Sequence, residues 1–159
     1  MNSFEASDIV EIAIRIEENG SNFYKFAEQI AKQEDAKKLF ADLAKAEVAH
    51  KKFFEGIFAK MEKHNPTESY DGEYGSYLRN YVDNNIIFTK EAMDKELAKV
   101  KDTVTAIDFA IRRELDSILY YHEIKRLVPP AQHEAIEQII DEERKHYSLL
   151  TEVKKRYCA

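Results

Sequence analysis

Two copies of the motif Glu-x-x-His place ionisable side chains where a helix would otherwise be apolar. They are Glu47-x-x-His50 and Glu143-x-x-His146. Apolar residues surround the first motif at helical spacing, and Glu47 and His50 fill the missing steps of that stripe, so both should face the interior. A carboxylate buried alone costs several kcal/mol, and it therefore needs a partner, a proton or a metal ion.

Two further glutamates continue this pattern in other amphipathic segments. Glu17 lies on the apolar stripe of the first segment, and Glu114 lies on that of the third. Asp35 is the predicted N-cap of the second segment, and Asp102 or Thr103 that of the third. Each long helix then carries a glutamate in the middle of its apolar face. The four predicted helices are 4–32, 35–63, 104–127 and 131–157.

The chain repeats itself at an offset of 96 to 97 residues. The stretch Ala13-Ile14-Arg15-Ile16-Glu17 matches Ala110-Ile111-Arg112-Arg113-Glu114, and a tyrosine follows each glutamate by seven positions, at Tyr24 and Tyr121. The two Glu-x-x-His motifs match as well. Short predicted turns follow the first and third helices, so the chain should form two antiparallel helical hairpins of one design.

The positions of the glutamates place them at one level of the predicted bundle. Two residues of an antiparallel hairpin lie level when their mean position falls at the turn. That mean is 32 for Glu17 and Glu47, and it is 128.5 for Glu114 and Glu143, at the Pro129-Pro130 pair. Each glutamate is then about 20 Å from its turn along the helix. Four carboxylates and two imidazoles should converge near mid-bundle.

A mixture of carboxylate oxygen and imidazole nitrogen suits iron or manganese, whereas zinc more usually has cysteine or more histidine. Residues at i and i+3 share a helix face, so each Glu-x-x-His motif can hold one ion. Glu17 and Glu114 would complete or bridge the pair. Two divalent cations balance the four carboxylates, and this matches the ligand pattern of di-iron helical bundles.

The chain resembles the ferritin-like superfamily, and within it the rubrerythrin-like proteins, over nearly its whole length. The motifs that carry the resemblance are Glu17-Glu18-Asn19-Gly20-x-x-Phe23-Tyr24, Glu47-x-x-His50, Glu114-x-x-Ser117-x-x-Tyr120-Tyr121 and Glu142-Glu143-x-x-His146. The resemblance implies an all-α, ferritin-like four-helix bundle. We expect one domain over 1–159, with a long, partly helical crossover at about 64–102 between the hairpins. Its short helices should lie near 74–84 and after Thr89.

The resemblance also implies a function and a set of ligands. It implies a non-haem di-iron oxidoreductase of the peroxidase or ferroxidase type, which reduces peroxide or O2 or oxidises Fe(II). Two iron ions, or manganese as an alternative, would be the cofactors. Tyr24 and Tyr121 face inward two turns from their glutamates. They would hydrogen-bond the ligands or relay an electron, or simply pack in the core with satisfied hydroxyl groups. The metal ligands would be Glu17, Glu47, His50, Glu114, Glu143 and His146.

Three departures from related proteins refine these expectations. Rubrerythrins commonly have another glutamate where this chain has Ser117, so the site should be the simpler four-glutamate, two-histidine kind. Bacterioferritins have a haem-binding methionine where this chain has Val48, so we expect no haem. The rubredoxin domain usual in rubrerythrins is missing from the sequence, which has one cysteine, Cys158. Electrons should therefore come from a separate donor such as a rubredoxin.

Composition excludes several other classes of protein. The net charge of -6, without a basic stripe, argues against nucleic-acid binding. No apolar run is long enough to span a membrane, and the first residues lack the pattern of a secretion signal, so we expect a cytoplasmic protein.

We also expect a homo-oligomer, with a dimer favoured. Alternatives to the oxidoreductase are an iron storage or sensing protein without sustained turnover, or a metal-free helical interaction module.

Overall fold

Four long α-helices dominate the residues that the structure describes. The structure is a computed structural model, and it describes residues 4–64, 69–70, 76–77, 80, 90–126 and 128–157. The predicted helix ends lie at most two residues from the observed ones. The helices are α1 (Ala6–Ile30), α2 (Glu34–His64), α3 (Lys90–Leu97), α4 (Thr103–Lys125) and α5 (His133–Tyr157), and a 3-10 turn (Pro130–Gln132) precedes α5.

The start of α4 is capped as predicted, at the first of the two candidate residues. Asp102 is the N-cap: its side chain accepts a hydrogen bond from the Thr105 backbone N–H at 2.8 Å. In return the Thr105 hydroxyl oxygen accepts from the Asp102 backbone N–H at 3.1 Å. This reciprocal capping box satisfies two backbone donors that have no partner within the helix.

The predicted N-cap of α2, Asp35, is wrong. The backbone N–H of Lys37 donates to the Gln33 carbonyl at 3.0 Å, so the helix begins earlier and Asp35 lies in its first turn. Its carboxylate instead accepts a hydrogen bond from the Tyr157 hydroxyl and forms an ion pair with Arg156 at 3.1 Å. The carboxylate also accepts from the Ala36 backbone N–H at 3.0 Å, so Asp35 ties the first turn of α2 to the end of α5.

The predicted pair of antiparallel hairpins is confirmed. Helix α1 packs against α2, helix α4 packs against α5, and α1 also packs against α4. Tyr24 contacts Glu114 while Tyr121 contacts Glu17, so α1 and α4 run antiparallel. The Tyr120 hydroxyl donates to the Ile9 carbonyl at 2.9 Å. This bond joins the end of α4 to the start of α1.

The apolar core forms two clusters, one towards each end of the bundle. The first contains Ile16 on α1 and Tyr121 on α4, and the second contains Tyr24 and Ala110 on the same two helices. Along each long helix, the glutamate of the predicted set lies between residues of the two clusters. The carboxylates thus occupy a polar layer with apolar packing on both sides.

The crossover between the hairpins is described only in part. Helix α3 begins at Lys90, which confirms the short helix predicted after Thr89. The helix predicted near 74–84 lies largely outside the described residues, although 76–77 and 80 are helical. A two-residue antiparallel pair, β1 (Phe4–Glu5) with β2 (Ser69–Tyr70), was not predicted and joins the start of the chain to the crossover.

No described helix combines the length and the apolar character that crossing a membrane requires.

We expect Asp102→Ala to lower the melting temperature by about 2–4 °C, because α4 loses its N-cap. The Thr105 backbone N–H lowers the pKa of Asp102 below its usual value. This capping stability is therefore present above about pH 4 and is lost as the pH falls through the lowered pKa. Thermal unfolding followed by circular dichroism, at neutral and at acid pH, measures both effects.

The control for this prediction is Asp42→Ala, which removes an exposed carboxylate paired with Lys45 at 3.3 Å. Exposed ion pairs of this kind contribute little, so the melting temperature should stay within about 1 °C. Equal shifts in the two variants would contradict the role of Asp102 as a cap.

Candidate metal centre

The six side chains that the sequence predicted to converge lie together at mid-bundle. Each of the four glutamates is at most 5% exposed, and His50 is buried with them. One glutamate comes from each long helix, and the two histidines come from α2 and α5. We call this set the carboxylate–imidazole cluster: Glu17, Glu47, His50, Glu114, Glu143 and His146.

The cluster divides into two overlapping groups of four ligating atoms, and within each group the atoms lie within 4.8 Å of one another. Glu17 and His50 belong to the first group only, and Glu114 and His146 to the second only. Glu47 and Glu143 belong to both groups. If each group held one ion, Glu17 and Glu114 would each complete one site, and Glu47 and Glu143 would contribute to both sites.

The imidazole of His50 is held on both sides. Its Nε2 lies 2.8 Å from Oε2 of Glu142, a half-exposed residue on α5. Its Nδ1 faces the cluster, 3.0 Å from Oε1 of Glu143 and 3.5 Å from Oε2 of Glu17. If Nε2 carries the proton and donates it to Glu142, the lone pair of Nδ1 is directed into the cluster.

His146 faces the cluster in the same way but lacks the same support. Its Nδ1 lies 2.9 Å from Oε2 of Glu143 and 3.9 Å from carboxylate oxygens of Glu47 and Glu114. Among the described residues, no carboxylate lies within ion-pair distance of its Nε2. The repeat explains this difference, because Ala46 stands at the position that corresponds to Glu142.

The two inward tyrosines make crossed hydrogen bonds between α1 and α4. The Tyr24 hydroxyl donates to Glu114, and the Tyr121 hydroxyl donates to Glu17. Both rings are buried, so each tyrosine also packs in the apolar core. These hydrogen bonds orient Glu114 and Glu17, and each of these glutamates belongs to only one of the two groups of ligating atoms. An electron-relay role for the tyrosines stays a prediction.

Burial and mutual repulsion oppose ionisation of most of the cluster. Burial, followed by the charges of neighbouring carboxylates, raises the pKa of Glu47 and Glu114 well above the usual value. Burial also raises the pKa of Glu17, although His50 and Tyr121 oppose it. Without cations, this cluster therefore favours bound protons on most of its carboxyl groups.

Glu143 and His50 behave in the opposite way and form a charged pair. Burial alone would raise the pKa of Glu143, but contacts with His146 and His50 outweigh burial and lower it. Burial alone would lower the pKa of His50, but Glu143 and Glu17 raise it to about 11. Positive charge is thus strongly favoured beside Glu143, the carboxylate that belongs to both groups of ligating atoms.

The orphaned polar atoms of the cluster fit bound cations. Among the described residues, four buried atoms of the cluster lack a hydrogen-bond partner: Glu17 Oε2, Glu47 Oε1, His50 Nδ1 and Glu143 Oε1. His50 Nδ1 and Glu143 Oε1 are close, but they are not aligned for a hydrogen bond. Buried polar groups are normally paired, whereas ligand atoms of one metal ion crowd to about 3–4 Å because metal–ligand bonds are about 2 Å.

Two residues that belong to the motifs of the family resemblance, Gly20 and Glu142, have structural roles that the sequence did not predict. In the sequence, Glu142 is an acidic residue next to a predicted ligand. Its pairing with His50 depends on how α2 packs against α5. Gly20 lies on α1, and a Cβ added there would lie 2.4 Å from Oε2 of Glu47. The missing side chain of Gly20 thus leaves room for the Glu47 carboxylate to approach α1 closely. Helical spacing alone does not predict this contact.

Comparisons with known proteins agree with this geometry. A family model described as rubrerythrin matches residues 8–154. None of the curated protein sequences matches the chain. The chain is similar to a solved structure from Thermotoga maritima that was assigned as a ferritin-like di-iron carboxylate protein. The identity is 26% and the TM-score is 0.75, over 98% of this chain and 97% of that chain. The likeness therefore extends over the whole bundle.

We expect the number of bound metal ions to depend on which glutamate is removed. Glu17→Ala leaves the second group of ligating atoms complete, so about one ion per chain should remain. Glu143→Ala damages both groups, so both ions should be lost or bound much more weakly. Elemental analysis after equilibration with Fe(II) or Mn(II) gives the counts.

His122→Ala is the control for metal content, because His122 is exposed and contacts Arg144 outside the cluster. It should bind as many ions as the wild type. Equal metal content in all three variants would remove the metal site from these helices.

We expect Gly20→Ala to weaken metal binding by about tenfold or more, because the new methyl group displaces the Glu47 carboxylate. The matched control is Gly56→Ala. Nothing lies within 4 Å of a Cβ added at that exposed position of α2. It should leave metal affinity unchanged and stabilise the protein by about 0.5–1 kcal/mol. Titration with Mn(II) and thermal unfolding test the pair, and unchanged affinity in Gly20→Ala would contradict the packing argument.

Proposed function

Because this chain belongs to the rubrerythrin family, we propose that it is a di-iron oxidoreductase that reduces peroxide or O2, or oxidises Fe(II), at the carboxylate–imidazole cluster. The resemblance drawn from the sequence motifs is confirmed. The proposal extends that membership to an activity and to iron as the metal.

One observation carries the proposal: the two groups of four ligating atoms share Glu47 and Glu143. Shared carboxylates would hold two ions close together, and a pair of redox-active ions would supply two electrons at one place. Four carboxylates also balance two divalent cations, so the burial that is costly for the bare cluster becomes tolerable.

Within this proposal the residues have distinct roles. His50 and His146 would each supply one nitrogen ligand, and Glu17 and Glu114 would each complete one site. Glu142 would fix the tautomer of His50 by accepting the proton of Nε2. When bound, the irons would supply the electron transfer to O2 or peroxide, which the side chains cannot perform. The buried surroundings would exclude bulk water from the cluster.

The remaining expectations about partners stay predictions. The sequence contains one cysteine, Cys158, so this chain cannot hold rubredoxin-type iron by itself. A separate donor such as a rubredoxin would therefore supply electrons. Manganese as an alternative to iron, the lack of haem, and a homo-oligomer with a dimer favoured are predictions of the same kind.

We expect protein loaded with two Fe(II) per chain to be oxidised once by excess peroxide and then to stop, because the two irons of one chain store two electrons. Adding a reduced rubredoxin should restore turnover. Stopped-flow absorbance measures the oxidation, and peroxide consumption measures the turnover. Glu143→Ala, treated in the same way, is the control because it damages both groups of ligating atoms. Continued turnover without any donor would contradict the need for a partner.

Added Fe(II) separates this function from iron storage. Sustained oxidation with many irons retained per chain would favour storage, because two sites per chain cannot hold that load. If neither a donor nor Fe(II) supports a second turnover, the activity is wrong and only metal binding remains.

A further inference from the structure

A narrow cleft between α1 and α4 reaches the carboxylate–imidazole cluster. Gly20 on α1, Arg113 on α4 and Met93 on α3 line it, and so do Glu47 and Glu114 of the cluster. The cleft is small, about 10 Å³, so only a small molecule or ion can enter it. A small ligand in the cleft would therefore meet Arg113 and the cluster at the same time.

Arg113 brings a buried hydrogen-bond donor to this cleft. Its side chain is 12% exposed, and its Nη1 atom is buried without a hydrogen-bond partner among the described residues. Its ion pair with Asp116 spans 3.8 Å, which is too long for a hydrogen bond. A buried guanidinium donor that stays unpaired is costly, so this atom is suited to a ligand that accepts a hydrogen bond.

The internal repeat shows that packing of the bundle does not require an arginine here. Ile16 stands at the position of α1 that corresponds to Arg113, directly before its glutamate. Ile16 is buried and also lines the cleft. An aliphatic residue thus serves the equivalent place in the first hairpin, and the charge is particular to the second.

The ion pair with Asp116 leaves the Nη1 atom of Arg113 without a hydrogen bond among the described residues. Two divalent cations would balance the four glutamates of the cluster, so these glutamates would not compete for that donor. Resting on the proposed di-iron function, we propose that Arg113 holds hydrogen peroxide in the cleft and stabilises the hydroperoxide anion that forms when the carboxylate of Glu47 or Glu114 accepts its proton. Arg113 is on this view a positioning residue that selects the oxidant.

Azide is a suitable probe, because it is a small monoanion and can be titrated without turnover. Titration calorimetry and optical spectra of the iron-loaded protein give its dissociation constant. Arg113→Ile, which copies the first hairpin, should raise that constant about tenfold or more. The control Arg112→Gln removes the charge of an exposed neighbour and should change it less than about twofold.

Iron content, measured on the same samples, keeps this inference separate from the proposed function. An unchanged azide constant in Arg113→Ile with two irons bound would overturn the inference and leave the di-iron function standing. A wild type that binds no iron would overturn both. If Arg113→Ile does not fold, Arg113→Gln, a polar and uncharged replacement, is judged by the same criterion.

Oxidation rates with hydrogen peroxide and with O2 test whether the anion held by Arg113 is hydroperoxide. Arg113→Ile should slow the oxidation of the reduced protein by hydrogen peroxide about tenfold. The rate with neutral O2 should change less than about twofold, and stopped-flow mixing with each oxidant measures both rates. Weaker azide binding with an unchanged peroxide rate would overturn the assignment to hydroperoxide and leave a site for another monoanion.

Discussion

Four carboxylates buried at one level of a helical bundle are the constraint on which the rest of this structure depends. Two like charges about 4 Å apart repel by roughly 4 kcal/mol even at an effective dielectric constant of 20. Raised pKa values at Glu17, Glu47 and Glu114 express that repulsion together with burial. Apolar clusters on both sides of the polar layer supply the packing that keeps these groups together. Bound cations would turn the repulsion into attraction.

The interface between α1 and α4 positions the ligands as much as the hairpins do. Tyr24 and Tyr121 each reach across it to a glutamate of the other helix. At one end of the bundle, the Thr103 hydroxyl donates to the Gln33 side chain at 2.7 Å and accepts from the Lys32 backbone N–H at 3.1 Å. The start of the second hairpin is thereby tied to the turn of the first, and sliding of α1 along α4 would break these bonds together.

The two halves of the repeat supply matching predicted ligands, but the residues around those ligands differ. Glu142 supports His50 from the second hairpin, while the corresponding Ala46 offers no support to His146. Ile16 corresponds to Arg113, so one hairpin presents a methyl-bearing side chain and the other a cation to the same cleft. The two halves of the cluster therefore differ in their outer contacts, and such contacts tune ligand basicity and access.

The sequence by itself determined the four long helices, their two hairpins and the six residues of the cluster. Helical periodicity sets which side chains share a face, and turn positions set which residues lie level, so both can be read along the chain. Only the tertiary structure decided that Glu47 and Glu143 are shared, that the tyrosines bond across α1 and α4, and that Gly20 makes room for Glu47. These features depend on side-chain rotamers and on how closely separate helices approach, and neither quantity is encoded in the spacing of residues along one helix.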